Sequence, residues 1–567
     1  MIRVGKRIGF VMDRMFILLI LVFSFLRIYV GSNLGLWFFI GSIDDDLLLL
    51  NYSDLSNHFL NWNILTLTKD ISYSLFLFFV NISNIPYSFY LSLLWIVAGI
   101  LITYSIYKFL NKDKLLLLLV FLFIIFLPVA FDSSCGTRIY RNAIMAPLII
   151  ILLSVLLIFV LNSLSKVTNY TKLVFLSIVV GLIFSFNFYI KEDGILTLPL
   201  LLVCITSIIL FHFYEFRKKF DIKYILIMLI PLLIFGASTI SYKEVNNYYF
   251  GVDEINTRTD GEIGEFWNML LKIDDPNKTT EIWVPVSTIE KAWNASPTLQ
   301  SRPDLFENLI HSDWAGGDMN QNPLPGDLVA WCLRDSLKDV NLFNNEKQAN
   351  DFFNQVNSEL EDAFASGKLN KSDRIFITSS ATGKTLDEVF GLKPYITSAV
   401  KSCVFYKDLL IEDYPIPGSS QLVSNEVTSN TESILNEKLV TQENMNNPTF
   451  GEYISLELMK LDIKIYQTIS YVIFILSALS FIFILFSQFK NKFKNRQLNA
   501  ILGFECLLAI TFILEIFAIG WFCSWMGTNS MKFYTVANHG IFAVFEVISI
   551  CTALKIFLEK YQNGTVH

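Results

Sequence analysis

The residues with the clearest chemical potential lie in Ile43-Asp44-Asp45-Asp46-Leu47-Leu48-Leu49-Leu50, where three adjacent carboxylates run into four leucines. Desolvating one carboxylate is costly, and three neighbours also repel each other. Such a run calls for cations, a metal or catalytic use. The plainer alternative is a solvated cap at a helix start, because Asp is favoured at N-caps. Three further sets of charges interrupt apolar sequence: Lys69, the pair in Arg138-Ile139-Tyr140-Arg141, and the knot Lys191-Glu192-Asp193. Arg138 and Arg141 stand three apart and would share a face on a helix. Cations grouped beside membrane spans suit the binding of an anion and are functional-site candidates by default. A few stray charges between spans would equally need no function.

The elements that must position these groups are membrane helices. Of the 567 residues, 53% are hydrophobic and only 17% charged, which excludes an ordinary soluble enzyme and gives no sign of a nucleic-acid partner. The apolar residues come in runs near the roughly 20 that a spanning helix needs. About ten spans are expected: Met15–Val30, Tyr87–Tyr107, Leu115–Phe131, Ile144–Leu161, Leu173–Tyr189, Ile195–Tyr214, Tyr224–Ile240, Tyr466–Ser487, Asn499–Trp521 and Ile541–Leu558. The basic start and the run from Met15 lack a small-residue cleavage site and read as a retained first span. Ser72–Val80 is too short to span and reads as an amphipathic or re-entrant piece ending at Asn84-Ile85-Pro86.

Basic residues set the orientation. With the N-terminus inside, the inner side carries Arg3, Lys6, Arg7, Arg14, Lys108, Lys112, Lys114 and the clusters at 217–219 and 490–496. The short outer loops hold only Lys69, Arg138, Arg141, Lys191 and Lys532. Both termini are therefore expected in the cytoplasm and the aspartate run outside it.

Residues 1–240 thus read as an N-terminal membrane domain of seven spans, with a first outer loop at 31–86. Residues 466–567 read as a C-terminal membrane domain of three spans. Between them, 241–465 is rich in Asn, Asp, Ser, Glu and Pro and has no spanning run. At roughly 220 residues it can bury its own core as an extracytoplasmic domain. Helices are expected at Leu328–Val340, Glu346–Gly367 and Glu388–Leu410, a short strand at 281–286, and a mobile loop at Gly418–Pro448.

Other features carry less. Thr382-Gly383-Lys384-Thr385 looks like the end of a phosphate-binding loop, but Thr378 stands where the earlier glycine belongs. Glu505 and Glu515 fall inside a span and suit either a proton path or a helix–helix contact. His58 is a ligand, a base or simply a solvated loop residue. The seven cysteines show no metal spacing. A Cys332–Cys403 disulfide fits their location, but the spacing does not call for it.

In order along the chain, these motifs resemble the bacterial GT-C superfamily of membrane glycosyltransferases. The outer pair Asp45-Asp46 followed by leucines, and then Thr66-Leu67-Thr68-Lys69-Asp70-Ile71-Ser72-Tyr73-Ser74-Leu75-Phe76-Leu77, are similar to the family's first outer loop. Arg138-Ile139-Tyr140-Arg141 stands in the place of an arginine pair. Ile190-Lys191-Glu192-Asp193-Gly194 resembles an Arg-Glu-Glu-Gly knot, and Lys532-Phe533-Tyr534 a final Arg-Tyr-rich loop. Trp293-Asn294-Ala295-Ser296-Pro297 and Ala330-Trp331-Cys332-Leu333-Arg334-Asp335 look similar to the insert of one subfamily. The chain departs from the pattern at Asp70-Ile71, where Gly-Pro or Pro-Pro is usual. It departs again at Lys191, where Arg is usual and could bind phosphate bidentately.

The resemblance implies an all-α polytopic membrane protein of GT-C-like fold with an inserted, mainly helical extracytoplasmic domain. It implies a polyprenyl-phosphate-sugar donor, transfer with inversion, and an acceptor hydroxyl on an envelope glycan, lipid or protein outside the bacterial cytoplasmic membrane. A phosphate leaving group needs no general acid; it needs one carboxylate as base and cations for the departing charge. Asp45 is then the base, with Asp46 orienting it or binding the acceptor. Lys69, Arg138, Arg141 and Lys191 form the phosphate clamp. Glu192, Asp193 and Tyr73 position those cations or touch the sugar. No cofactor is required, and a divalent metal on the aspartates stays open. Two rival functions remain. A transporter or flippase of a lipid-linked sugar would put essential charges, such as Glu505 or Glu515, inside spans. A non-catalytic assembly protein would depend on the outer domain and not on the loop charges.

Overall fold

The apolar runs form helices in the computed structural model, which describes residues 2–37, 48–50, 52–110, 112–165, 169–215, 221–412, 425–440 and 447–564. In lipid every backbone polar group needs an internal partner, and a helix supplies it within the segment. Among the described residues, nine helices are long and apolar enough to cross a membrane: Arg14–Asn33, Tyr87–Phe109, Asn142–Ser163, Tyr170–Phe188, Glu192–Tyr214, Ile222–Phe250, Phe450–Lys490, Arg496–Cys523 and Val536–Lys560. Among the described residues no strand forms, and the chain has the architecture of an all-α multi-pass membrane protein.

The run expected to span at Leu115–Phe131 is shorter. Its helix covers Lys114–Ile125, and 12 residues reach about 18 Å, against about 30 Å of hydrocarbon. Pro128 ends it by holding Leu127 in an extended conformation and opening a 3-10 turn through Ala130. Ser72–Ser83 is likewise 12 residues long and stops at Asn84, in left-handed backbone just before Pro86.

Asn142–Ser163 is apolar all round and lies at the centre, its spanning window wholly buried. Tyr87–Phe109, Tyr170–Phe188 and the final helix, Val536–Gly564, pack against it. Lipid tails are as apolar as leucine, so close packing rather than the hydrophobic effect holds such helices together. Gly540 shows this: a Cβ there would sit 2.9 Å from the Ala146 carbonyl oxygen.

The membrane helices reach further into the inserted segment than apolarity alone indicates. Ile222–Phe250 continues past Ser241. Phe450–Lys490 begins well before Tyr466, because Thr449 and Glu452 form a reciprocal capping box that starts a helix in polar sequence. Between these two helices lies a second apolar core, with Phe266, Trp283, Ile289, Leu299, Cys332 and Phe353 buried in it. Trp521, from the Arg496–Cys523 helix, enters that core and donates its indole N–H to the Thr382 carbonyl at 3.1 Å.

Leu328–Asp339 and Glu346–Ala365 are helices, as their periodicity predicts. The other expectations need correction. The expected strand at 281–286 is absent: Pro285 occupies the N-cap of a helix that runs Val286–Ala295. Glu388–Leu410 divides into Leu386–Phe390 and Lys393–Phe405, with Pro394 in the first turn of the second helix. The expected loop at Gly418–Pro448 contains the helix Asn425–Leu435. Asn436 beyond that helix bonds the Val80 carbonyl at 2.9 Å, and Glu437 accepts from Ser88 N–H at 2.9 Å, which docks it on the bundle. Cys332 and Cys403 are free thiols buried in different cores.

Candidate functional site

Lys69, Arg138, Arg141 and Lys191 are far apart in sequence and all buried. Their loops are stitched together through the backbone. Ser72 N–H donates to the Tyr189 carbonyl at 2.9 Å, which joins the Lys69 loop to the turn before Lys191. Thr257 N–H donates to the Leu67 carbonyl at 2.8 Å, which brings Arg258 of the inserted segment beside Lys69. Arg334 fastens this junction, with one nitrogen on the Ile64 carbonyl and another on the Thr257 hydroxyl, both at 2.8 Å.

Glu192 is the hub. Its carboxylate accepts from the Arg141 guanidinium at 3.2 and 3.3 Å and lies 3.8 Å from Arg258. Arg258 in turn bonds Asp327 at 2.7 Å. Arg141 also donates to the Tyr140 hydroxyl at 2.9 Å. The Lys191 ammonium lies 3.7 Å from Asp193 and makes no hydrogen bond among the described residues. Gly194 lets this knot turn tightly, since a Cβ there would meet the Phe188 carbonyl oxygen at 2.3 Å.

Aromatic faces also flank these cations. Tyr140 stacks on Phe533 with centroids 5.6 Å apart. Arg138 lies over both rings, at 4.7 and 5.1 Å. Lys191 lies over Phe533 and Tyr534, at 5.5 and 4.9 Å. Lys69 and Arg258 share Trp331, at 5.2 and 5.3 Å. Such contacts stabilise a desolvated cation by about 2 kcal/mol. Asn142 ties the Phe533 carbonyl to the start of the central helix at 2.8 Å and keeps the platform in place.

Asp70 is buried beside this cluster. Burial and the negative charge of Glu192 push its carboxyl up to about 7, against the opposing pull of Arg141 and a hydrogen bond to Asn256. Burial likewise raises the Tyr534 phenol well above its ordinary value.

Asp45 and Asp46 lie outside the described residues, as does Asp44. The chain on either side is placed. Trp37 pairs with Arg138 through the backbone, donating to the Thr137 carbonyl at 3.4 Å and accepting from Ile139 N–H at 3.0 Å. Leu49, past the aspartates, accepts a bond from the Ser74 hydroxyl at 3.4 Å. Tyr73 is fully buried in the bundle core, its hydroxyl 2.9 Å from that of Tyr87.

The remaining candidates take other places. Lys532 pairs with Asp132 at 3.3 Å, and Asp132 also accepts from the backbone of Ser134, Cys135 and Leu410. Lys532 therefore anchors the loop that carries Phe533. His58 is not solvated: it is buried among Tyr52, Phe59 and Phe250, and burial lowers its pKa to about 4. Lys384 is fully buried, and its ammonium donates to the Ser524 hydroxyl at 2.8 Å at the end of the Arg496–Cys523 helix. A cation there complements the helix dipole. Glu515 is buried and shares a small cavity with Asp193. Among the described residues, no group of three or more His, Cys, Asp or Glu could hold a metal.

Sequence reasoning missed Arg258, Asp327 and Asp70, and quoted Trp331 without a role. Arg258 and Asp327 stand in a polar segment where charges are common and signal nothing. Asp70 registered only as a departure from a motif. Comparison of the chain with family models, curated proteins and solved structures returned no match.

Proposed function

We propose that this protein is a membrane glycosyltransferase of the GT-C kind, which moves a sugar from a polyprenyl-phosphate donor to an acceptor hydroxyl on a cell-envelope glycan, lipid or protein. The observation that supports this most is the gathering of Lys69, Arg138, Arg141, Lys191 and Arg258 at one end of a membrane bundle, beneath the inserted segment. A lipid phosphate at that depth would meet several buried cations at once. Charge-assisted hydrogen bonds contribute about 1.5–3 kcal/mol each. Stabilisation that grows as the phosphate departs lowers the barrier to transfer.

In this reading Asp45 takes the acceptor proton and Asp46 orients it, on the strength of the sequence. The cations hold the leaving phosphate, Glu192 fixes Arg141 and Arg258 at their spacing, and Trp331 offers a face to the sugar. The site faces away from the cytoplasm of a bacterium, with both termini inside. A lipid-extract comparison of cells with and without the protein tests this. A glycosyltransferase leaves its polyprenyl-phosphate sugar accumulated when deleted, and the purified protein converts that lipid in the presence of acceptor. Accumulation without conversion would point instead to a flippase.

The flippase alternative has one observation of its own. Glu515, on a spanning helix, has a carboxylate oxygen without a hydrogen-bond partner among the described residues, in the cavity it shares with Asp193. If transport were the function, Glu515→Gln would abolish it while Asp45→Asn would not.

A further inference from the structure

An open cavity lies at the opposite end of the bundle from the cation cluster. It has a volume of about 930 Å³. The Phe450–Lys490 helix begins at the inserted segment and ends at this cavity, 41 residues or about 60 Å away. Lys108, Lys490, Lys492, Lys494 and Arg496 converge on it from three helix ends and the hairpin between two of them. Among the described residues, no carboxylate lines it. Lys490, Lys492 and Lys494 form no ion pair among the described residues. The carbonyl oxygen of Phe109, which would otherwise offer negative charge at a helix end, is covered by Gln497 at 2.7 Å and Lys555 at 3.0 Å.

The general excess of basic residues on one side of a membrane accounts for cations at this end. It does not account for their convergence on one concave wall. The rest of that wall combines the apolar Phe109, Leu161 and Leu164 with the neutral polar Ser165, Asn491, Asn495 and Gln497. Lys492 and Phe493 both hold left-handed backbone, at φ 51° and 53°, an unusual pair for residues with side chains. The hairpin keeps that shape through Phe493 N–H on the Gln488 carbonyl at 2.9 Å and Lys492 N–H on the Phe489 carbonyl at 3.0 Å.

From this geometry we infer that the cavity binds the phosphate headgroup of an anionic phospholipid from the adjoining leaflet. The lysines and Arg496 meet the phosphate, and the apolar side chains of the wall meet the glycerol and the first acyl carbons. The position at the ends of spanning helices favours a lipid over a soluble anion, because a headgroup already sits at that level. This site is separate from the proposed donor site and does not depend on the function assigned there.

The test uses the full-length protein in phosphatidylcholine nanodiscs containing spin-labelled phosphatidylglycerol or spin-labelled phosphatidylcholine. The fraction of label immobilised on the protein is read for each lipid. The native protein should prefer phosphatidylglycerol. Each basic residue near a membrane surface contributes about fivefold to such binding. The triple variant Lys490→Gln, Lys492→Gln, Lys494→Gln should therefore lose the preference by roughly 100-fold. These lysines are exposed, so the variant should fold. Changing Lys338, Lys347 and Lys368 on the inserted segment to Gln should leave the preference intact. An undiminished preference in the triple lysine variant overturns the inference. Lysine-dependent binding of inorganic diphosphate, with no lipid preference, overturns the lipid assignment in favour of a soluble anion.

Discussion

The guanidinium of Arg258 lies 3.8 Å from the carboxylate of Glu192. One residue belongs to the polar inserted segment and the other opens a membrane-length helix. This contact makes the inserted segment part of the candidate site and not an appendage to it. Arg258→Gln should leave the separate apolar core of that segment folded. It should weaken binding of a polyprenyl-phosphate sugar by about 1.5–3 kcal/mol, or roughly 10- to 150-fold. Titration of the purified variant with the lipid checks this, and unchanged affinity would make the contact purely structural.

Arg141 is a different case, because it is only 2% exposed and its partner Glu192 is mostly covered. Arg141→Gln leaves a buried carboxylate short of its main partner, and a broken buried pair typically costs about 3–5 kcal/mol. Adding Glu192→Gln should restore much of that stability, while lipid-phosphate binding stays lost in both variants. Thermal unfolding and lipid binding measured across the double-mutant cycle separate the two roles. Recovery of binding together with stability would show that Arg141 serves the fold alone.

Asp70 gives the site a pH dependence. Its folded pKa of about 7 lies above its ordinary value, so the folded state holds a proton that the unfolded state releases. Stability contributed in this way is fully present at about pH 4 and is lost as pH rises to about 7, by a few kcal/mol at most. Above pH 7 the ionised Asp70 adds negative charge beside Arg141, so affinity for a phosphodiester should fall although the diester keeps its own charge. Asp70→Asn should flatten both profiles between pH 5 and 8, as followed by melting and by lipid titration. Glu346, also raised to about 7 by burial, contributes a parallel slope to stability but not to binding.

If Asp45 is the general base, Asp45→Asn should lower transfer by roughly 10²–10⁴-fold with donor affinity kept. Asp44→Asn should matter far less. Neighbours on a helix would point about 100° apart, and three adjacent aspartates in that conformation could not all face one acceptor. Equal, mild effects from Asn at all three positions would support a solvated cap and remove the catalytic role. Transfer of labelled sugar by purified variants is the measurement.

Orientation is testable at Ser358, which is exposed on the Glu346–Ala365 helix. A cysteine there should react with a membrane-impermeant maleimide in intact cells with a permeabilised outer wall. Labelling only after lysis would place the inserted segment, and the cation cluster beneath it, on the cytoplasmic side.

The helical, multi-pass character was legible in the sequence, because a segment that must satisfy its backbone inside lipid has few options and advertises itself by length and apolarity. The cation set was legible for the same reason: Lys69, Arg138, Arg141 and Lys191 stand out where charge is costly. Local capping rules would also have corrected some boundaries, as Thr449 with Glu452 shows. Tertiary structure alone decided which charges meet. Glu192 chooses Arg141 and Arg258 through contacts between residues far apart in the chain, and Trp331 joins Lys69 to Arg258 across a junction that no sequence period encodes. The same holds for Lys384, whose sequence resembles a phosphate loop and whose surroundings make it a helix-end anchor. Apolar periodicity records which face of an element leaves water. It carries no record of which polar groups will share the space that remains.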